Sequence, residues 1–136
     1  MAFIIDQMNN YLGVIIKESL DNKAVLEKIK VVSTVVQKVI DRHKTPWLKE
    51  WTLHTIEIPE DQALSLAEEI SRSLDKDHAW YADFKNSTWH YIVFLNKIFF
   101  IDQSNQSQYN QAKEYGLSLG IPEYQVNFHA NVNKTK

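Results

Sequence analysis

The chain has 136 residues, 44% of them apolar and 24% charged, with fifteen Lys and Arg against seventeen Asp and Glu for a formal net charge of −2. That length suits one domain, the apolar fraction excludes a disordered chain, and the interspersed charge offers nothing to hold a nucleic acid. The absence of cysteine excludes disulfides, iron–sulfur clusters and thiolate zinc sites, and fits a reducing compartment.

The start, MAFIIDQMNNYLGVII, lacks a basic leader and is broken by Asp6, Gln7, Asn9 and Asn10. Neither a signal peptide nor a membrane span is expected from it, so the expected location is cytoplasmic. Apolar residues then recur at helical spacing, with Ile4, Met8, Leu12 and Ile15 in one stripe and Val25, Ile29, Val32, Val36 and Val39 in another. They predict an N-terminal helical hairpin, although the valines of 29–40 favour extended backbone and keep a strand open there.

After Pro46, residues 51–58 read as a strand and 60–74 as an amphipathic helix with Ala63, Leu66, Ala67, Ile70 and Leu74 on one face. Strands follow at 79–85, 88–95 and 98–102, and a helix at 104–119 that Gly120 and Pro122 terminate. Residues 123–128 read as a last strand. The expected fold is thus α+β, a ferredoxin-like β-α-β-β-(β)-α-β antiparallel sheet preceded by the helical hairpin. In domain terms, 1–44 is a helical arm on the sheet or at an interface, 51–128 the ferredoxin-like domain, and 129–136 a flexible tail.

Eight of the sixteen Phe, Trp and Tyr residues fall between Trp80 and Asp102, which marks the centre of the sheet. A turn at Asn86 and Ser87 sets Phe84 opposite Trp89 and Asp83 opposite His90. One face then carries Trp80, Ala82, Phe84, Trp89, Tyr91, Val93, Ile98 and Phe100; the other carries Tyr81, Asp83, His90, Ile92, Phe94, Phe99 and Ile101. Both faces are apolar, so each requires cover. Trp80, Tyr91, Phe100, Ile70 and Leu66 are expected in one core.

Asp83 and His90 are the candidate catalytic residues, since a carboxylate that orients an imidazole is the basic unit of a general base, with Glu57, His54 or Tyr81 assisting. No Ser or Cys nucleophile accompanies them in an elbow or triad context. Trp47, Trp51, His54 and Tyr81 are the candidate ligand-binding residues, because rigid rings with a polar edge line small-molecule pockets. The five histidines are scattered with no HxH or HExxH spacing, and the three glycines form no phosphate loop. No metal and no cofactor is expected.

The runs HAWYADF (78–84), YIVF (91–94), KIFFID (97–102) and EYGLSLGIP (114–122), with Gln125, resemble a family of small uncharacterised bacterial proteins over residues 51–128. The resemblance implies close helix packing at Gly116 and a helix stop at 120–122. It implies no catalytic role. The expected function is therefore a non-enzymatic protein- or small-ligand-binding module, with a small metal-independent hydrolase or isomerase using His90 and Asp83 as the alternative. The expected partners are a second copy in a homodimer, through the N-terminal helices or the sheet face they leave open, and a protein or small molecule, with no nucleic acid and no membrane.

Overall fold

A computed structural model of the chain describes residues 9–130. Six strands, β1 (Tyr11–Ile16), β2 (Lys30–Lys38), β3 (Glu50–Ile58), β4 (Tyr81–Lys85), β5 (Trp89–Phe94) and β6 (Lys97–Asp102), form one sheet in the order β2-β3-β1-β4-β5-β6. Every pairing is antiparallel. Among the described residues three α-helices accompany it: α1 (Ala63–Ser73), α2 (Gln106–Ser118) and the short α3 (Glu123–Val126). No helix among the described residues is long and apolar enough to cross a membrane.

The ferredoxin-like expectation fails at three points. The stretch read as a helical hairpin supplies two strands, and β1 lies in the middle of the sheet between β3 and β4. Val31, Val32, Thr34, Val35 and Val36 decide β2, because β-branched side chains lose rotamer freedom in a helix and fit a pleated strand. Between the two strands, what helical character exists is 3₁₀, at Lys17–Ser19 and Lys23–Lys28, the latter capped by the Asn22 side chain, which accepts from Ala24 N at 3.0 Å. The third failure is residues 123–128, which form α3 and an irregular exit instead of a last strand. The proposed 1–44 arm is thus part of the sheet, apart from residues 1–8, which lie outside those described; most of the proposed tail, from residue 131, does too.

The two long helices take opposite faces of the sheet. Beneath α1, the side chains of Leu66, Ala67 and Ile70 join Tyr11, Ile15, Ile56, Ile58, Phe84 and Val93 in the larger core. The loop after β1 is bound to the end of α1, where Asp21 N donates to Ser73 O at 2.8 Å and Asp75 N donates to Ser19 O at 2.8 Å. On the other face, Tyr109 and Ala112 of α2 and Val126 of α3 enclose Ile92, Phe94 and Ile101. The helix starts at the Asn105 cap, whose side chain accepts from Gln108 N at 3.0 Å, and stops at Gly120, with φ at +91°.

The hairpin register differs from the expected one by two residues. Asn86 N donates to Trp89 O, so Ser87 and Thr88 make the turn, and Lys85 pairs with His90, Phe84 with Tyr91 and Asp83 with Ile92. An even shift keeps every side chain on its face. Phe100 is a further correction. It lies on edge strand β6, 49% exposed and stacked on Trp89 with ring centroids 4.7 Å apart, so it does not share the core of Tyr91 and Ile70.

On the α2 face, helix cover stops short of β1, β3 and β2. Leu12 and Val14 of β1 are exposed there, next to the row on β4 that carries Tyr81, Asp83 and Lys85, and so is Val35 of β2 at the far edge. At the border between the covered and uncovered halves lies the candidate site.

Candidate functional site

Asp83 of β4 and His90 of β5 point to the same face and meet diagonally across the hairpin. His90 Nε2 lies 2.7 Å from Asp83 Oδ2, and His90 Nδ1 lies 2.8 Å from the hydroxyl of Tyr109 on α2. An ionised carboxylate only accepts, so Nε2 carries the hydrogen and donates to Asp83; in the neutral ring Nδ1 then accepts from the Tyr109 hydroxyl. This Tyr109–His90–Asp83 chain runs from the core outward. Tyr109 is fully buried and His90 nearly so, whereas 31% of the Asp83 side chain is exposed.

The exposed end of the chain opens on a cavity of about 270 Å³ lined by Asp83, Trp51, Trp80, Tyr81, Tyr124 and Gln125 together with Val14 and Ile16 of β1. Trp51 closes one side, edge-on to Trp80 at 5.7 Å, its indole N–H donating to Thr45 Oγ1 at 3.0 Å. The Tyr81 hydroxyl donates to the Gln125 carbonyl, binding α3 to β4. The Arg42 guanidinium lies 5.0 Å from the centre of the Tyr124 ring, so one ring of the lining already accepts a cation on its face.

Of the residues singled out from the sequence, Asp83, Trp51 and Tyr81 share this cavity. His90 stands behind Asp83 and does not border it. Trp47 stacks on His78 at 3.7 Å and lines an adjoining recess with Trp51 and Trp80. His54 points to the opposite face of the sheet from Trp51, 2.8 Å from Thr34 Oγ1. Glu57 is also remote, hydrogen-bonded by Asn10 Nδ2 at 3.0 Å and 3.5 Å from Lys30 Nζ, partners that hold its carboxyl below the usual carboxylate range.

Sequence reasoning missed Tyr109 as a partner of His90, although a buried tyrosine hydroxyl regularly finds one. It also missed Tyr124 and Gln125, since a last strand was expected there. No group of three or more His, Asp or Glu side chains among the described residues is placed to hold a metal ion.

Burial raises the Tyr109 hydroxyl to about 12, with Asp83 and Asp102 adding to the shift, and raises Tyr11 to about 12; desolvation, with Asp83 and Tyr124 beside it, pushes Tyr81 higher still. In the unfolded chain a tyrosine ionises at about pH 10. Because the folded state retains these protons longer, their contribution is complete below about pH 10 and is lost as pH rises from about 10 toward 12. Thermal melts should show a flat Tm from pH 8 to about 9.5 and a steep fall above pH 10, and Tyr109→Phe should make that fall shallower. An unchanged slope in the variant would contradict the assignment.

Comparison with family models, with curated proteins and with solved structures finds no match. The reading of the site rests on its own chemistry.

Proposed function

We propose that the protein is a non-enzymatic binding module whose cavity at Asp83 takes a small organic cation with an apolar body. The observation that carries this reading is a carboxylate held in one orientation at the wall of an aromatic-lined cavity. Its partner among the described residues is the neutral imidazole behind it, which donates a hydrogen bond, and no Lys or Arg among them forms an ion pair with it within 4.0 Å. Rings supply apolar contact and cation–π attraction, and the fixed carboxylate supplies direction. A hydrolase or isomerase using His90 and Asp83 has less support. Both ring nitrogens of His90 are engaged and the ring is covered, so a bound molecule would have no direct access to that base.

Trp51 and Trp80 make the cavity visible by fluorescence. Titration with phenethylammonium should change their emission saturably, and 2-phenylethanol, similar in shape but uncharged, should bind more weakly. Asp83→Asn keeps an acceptor for His90 Nε2–H, so the fold should persist while cation affinity falls at least about tenfold, or about 1.4 kcal/mol. Equal affinity for the cation in Asp83→Asn, or a preference for the alcohol, would refute the proposal.

A further inference from the structure

Among the described residues, strand β2 forms one edge of the sheet, pairs with β3 alone, and is exposed along all nine of its residues, Lys30–Lys38. Val35 is 62% exposed and Val36, Val32 and Val31 are exposed too. An open edge presents a row of unpaired N–H and C=O groups, and proteins blunt such edges with inward charges, proline, bulges or brevity. Here the run from Val31 to Gln37 holds no charge and no proline. Its single blunting device is a bulge between Val31 and Ser33.

We propose that β2 pairs antiparallel with β2 of a second copy of this chain, joining the two sheets across a two-fold axis at Val35. Three features select this occupant. The backbone edge accepts only another extended strand, and the β2 run lacks the charge that would choose an acidic or basic peptide. A self-pair closes on itself and uses both β2 edges, whereas β2 against β6 of another copy would leave free edges and grow as a filament.

The third feature is register. Opposite residues in an antiparallel pair share a face, so a two-fold axis sets one residue against its own copy. The bulge ends the regular ladder at Ser33, and Ser33 to Gln37 has Val35 at its midpoint. Val35 then meets Val35, Thr34 meets Val36, and Lys38 falls opposite the bulge. An axis at Thr34 would instead set Lys30 against Lys38 twice, placing like charges directly opposite. The inference is separate from the Asp83 cavity and does not depend on its ligand.

The chain has no cysteine, so a single introduced thiol reports on this register without interference. Val35→Cys under mild oxidation should give a disulfide-linked dimer in high yield. Val36→Cys should not, because the two copies of residue 36 would lie about 8 Å apart, beyond disulfide reach. Sedimentation velocity of the unaltered chain from roughly 1 to 500 μM should show its mass rise with concentration from 15.9 kDa to twice that, as a small interface requires. Val35→Lys, a surface change that circular dichroism should find folded, should remain monomeric throughout. A monomer over the whole range for the unaltered chain overturns the proposal, as does open-ended assembly, or cross-linking through residue 36 in preference to 35.

Discussion

Phe94→Ala should lower the free energy of unfolding by about 3–5 kcal/mol, whereas Phe100→Ala should cost less than half as much. Both phenylalanines are on the hairpin of β5 and β6, and their surroundings differ. Phe94 is fully buried, with Tyr115 of α2 at 5.0 Å, Tyr81 at 5.8 Å and Phe99 at 5.9 Å between ring centroids. Its removal leaves a void that α2 cannot collapse into without losing its contacts with Ile92 and Ile101. Phe100 is half in solvent on an edge strand, and its main contribution is ring contact, stacked on Trp89 and tilted against Tyr91. Urea unfolding of the two variants beside the parent measures both; equal losses would mean that the two faces of the sheet had been assigned wrongly.

Gly13→Ala should be at least as damaging, at about 3 kcal/mol or more, although it adds a single methyl group. Gly13 lies between Ile56 of β3 and Phe84 of β4. A Cβ placed there would sit 1.9 Å from the Asp83 carbonyl oxygen and 2.5 Å from Phe84 Cα. These are backbone atoms of a paired strand, so no rotamer change relieves the clash and β1 must separate from β4. Overpacking of a flexible side-chain site costs about 1–3 kcal/mol, and a rigid backbone obstacle belongs at the upper end or above it. Chemical denaturation gives the magnitude. Amide exchange on β1 and β4 gives the location, with protection expected to fall there first. A loss under about 1 kcal/mol would show that the two strands are less closely apposed.

How much of this was legible in the sequence differed by region. The three strands around Trp80–Asp102 and the helix now seen at Ala63–Ser73 announced themselves through ring density and a clean stripe of buried positions. Strand β2 did not, because it is exposed on both faces at an edge and no alternation of burial is written into it. Its valines matched a period of 3.6 by coincidence, and only their β-branching told the truth. Strand β1 misled in another way. It has apolar residues on both faces, with Tyr11 and Ile15 beneath α1 and Leu12 and Val14 on the uncovered side. The last strand was expected from Tyr124, Val126 and Phe128, but Pro122 initiates a helical turn that carries Val126 into the smaller core.

The site was legible to the level of faces and no further. Face parity alone placed Asp83 and His90 on one side, and an error of two residues in register left that parity intact. The third member of the chain, Tyr109, comes from a helix whose choice of face depends on how the chain leaves β6. No local spacing encodes that. Trp51 and Tyr81 share a wall because β1 separates their strands by one position, a neighbourhood that required β1 to be recognised as a strand.

The central position of β1 has a consequence for how the chain assembles. The sequence-local pairings, β2 with β3 and the run β4-β5-β6, can form soon after each segment leaves the ribosome. Of the six strands, β1 is made before the others and has to wait, since both of its partners lie far ahead in the chain. Until β4 emerges, one side of β1 is unpaired, and the β4-β5-β6 half, once made, shares no scaffold with β2 and β3 until β1 bridges them. Long-range closure of this kind slows folding, and it exposes nascent apolar edges in the interval. The slowest conformational event should therefore be the insertion of residues 11–16 between the two halves, a step that fixes Asp83 in place and makes the cavity beside it the last feature of the molecule to appear.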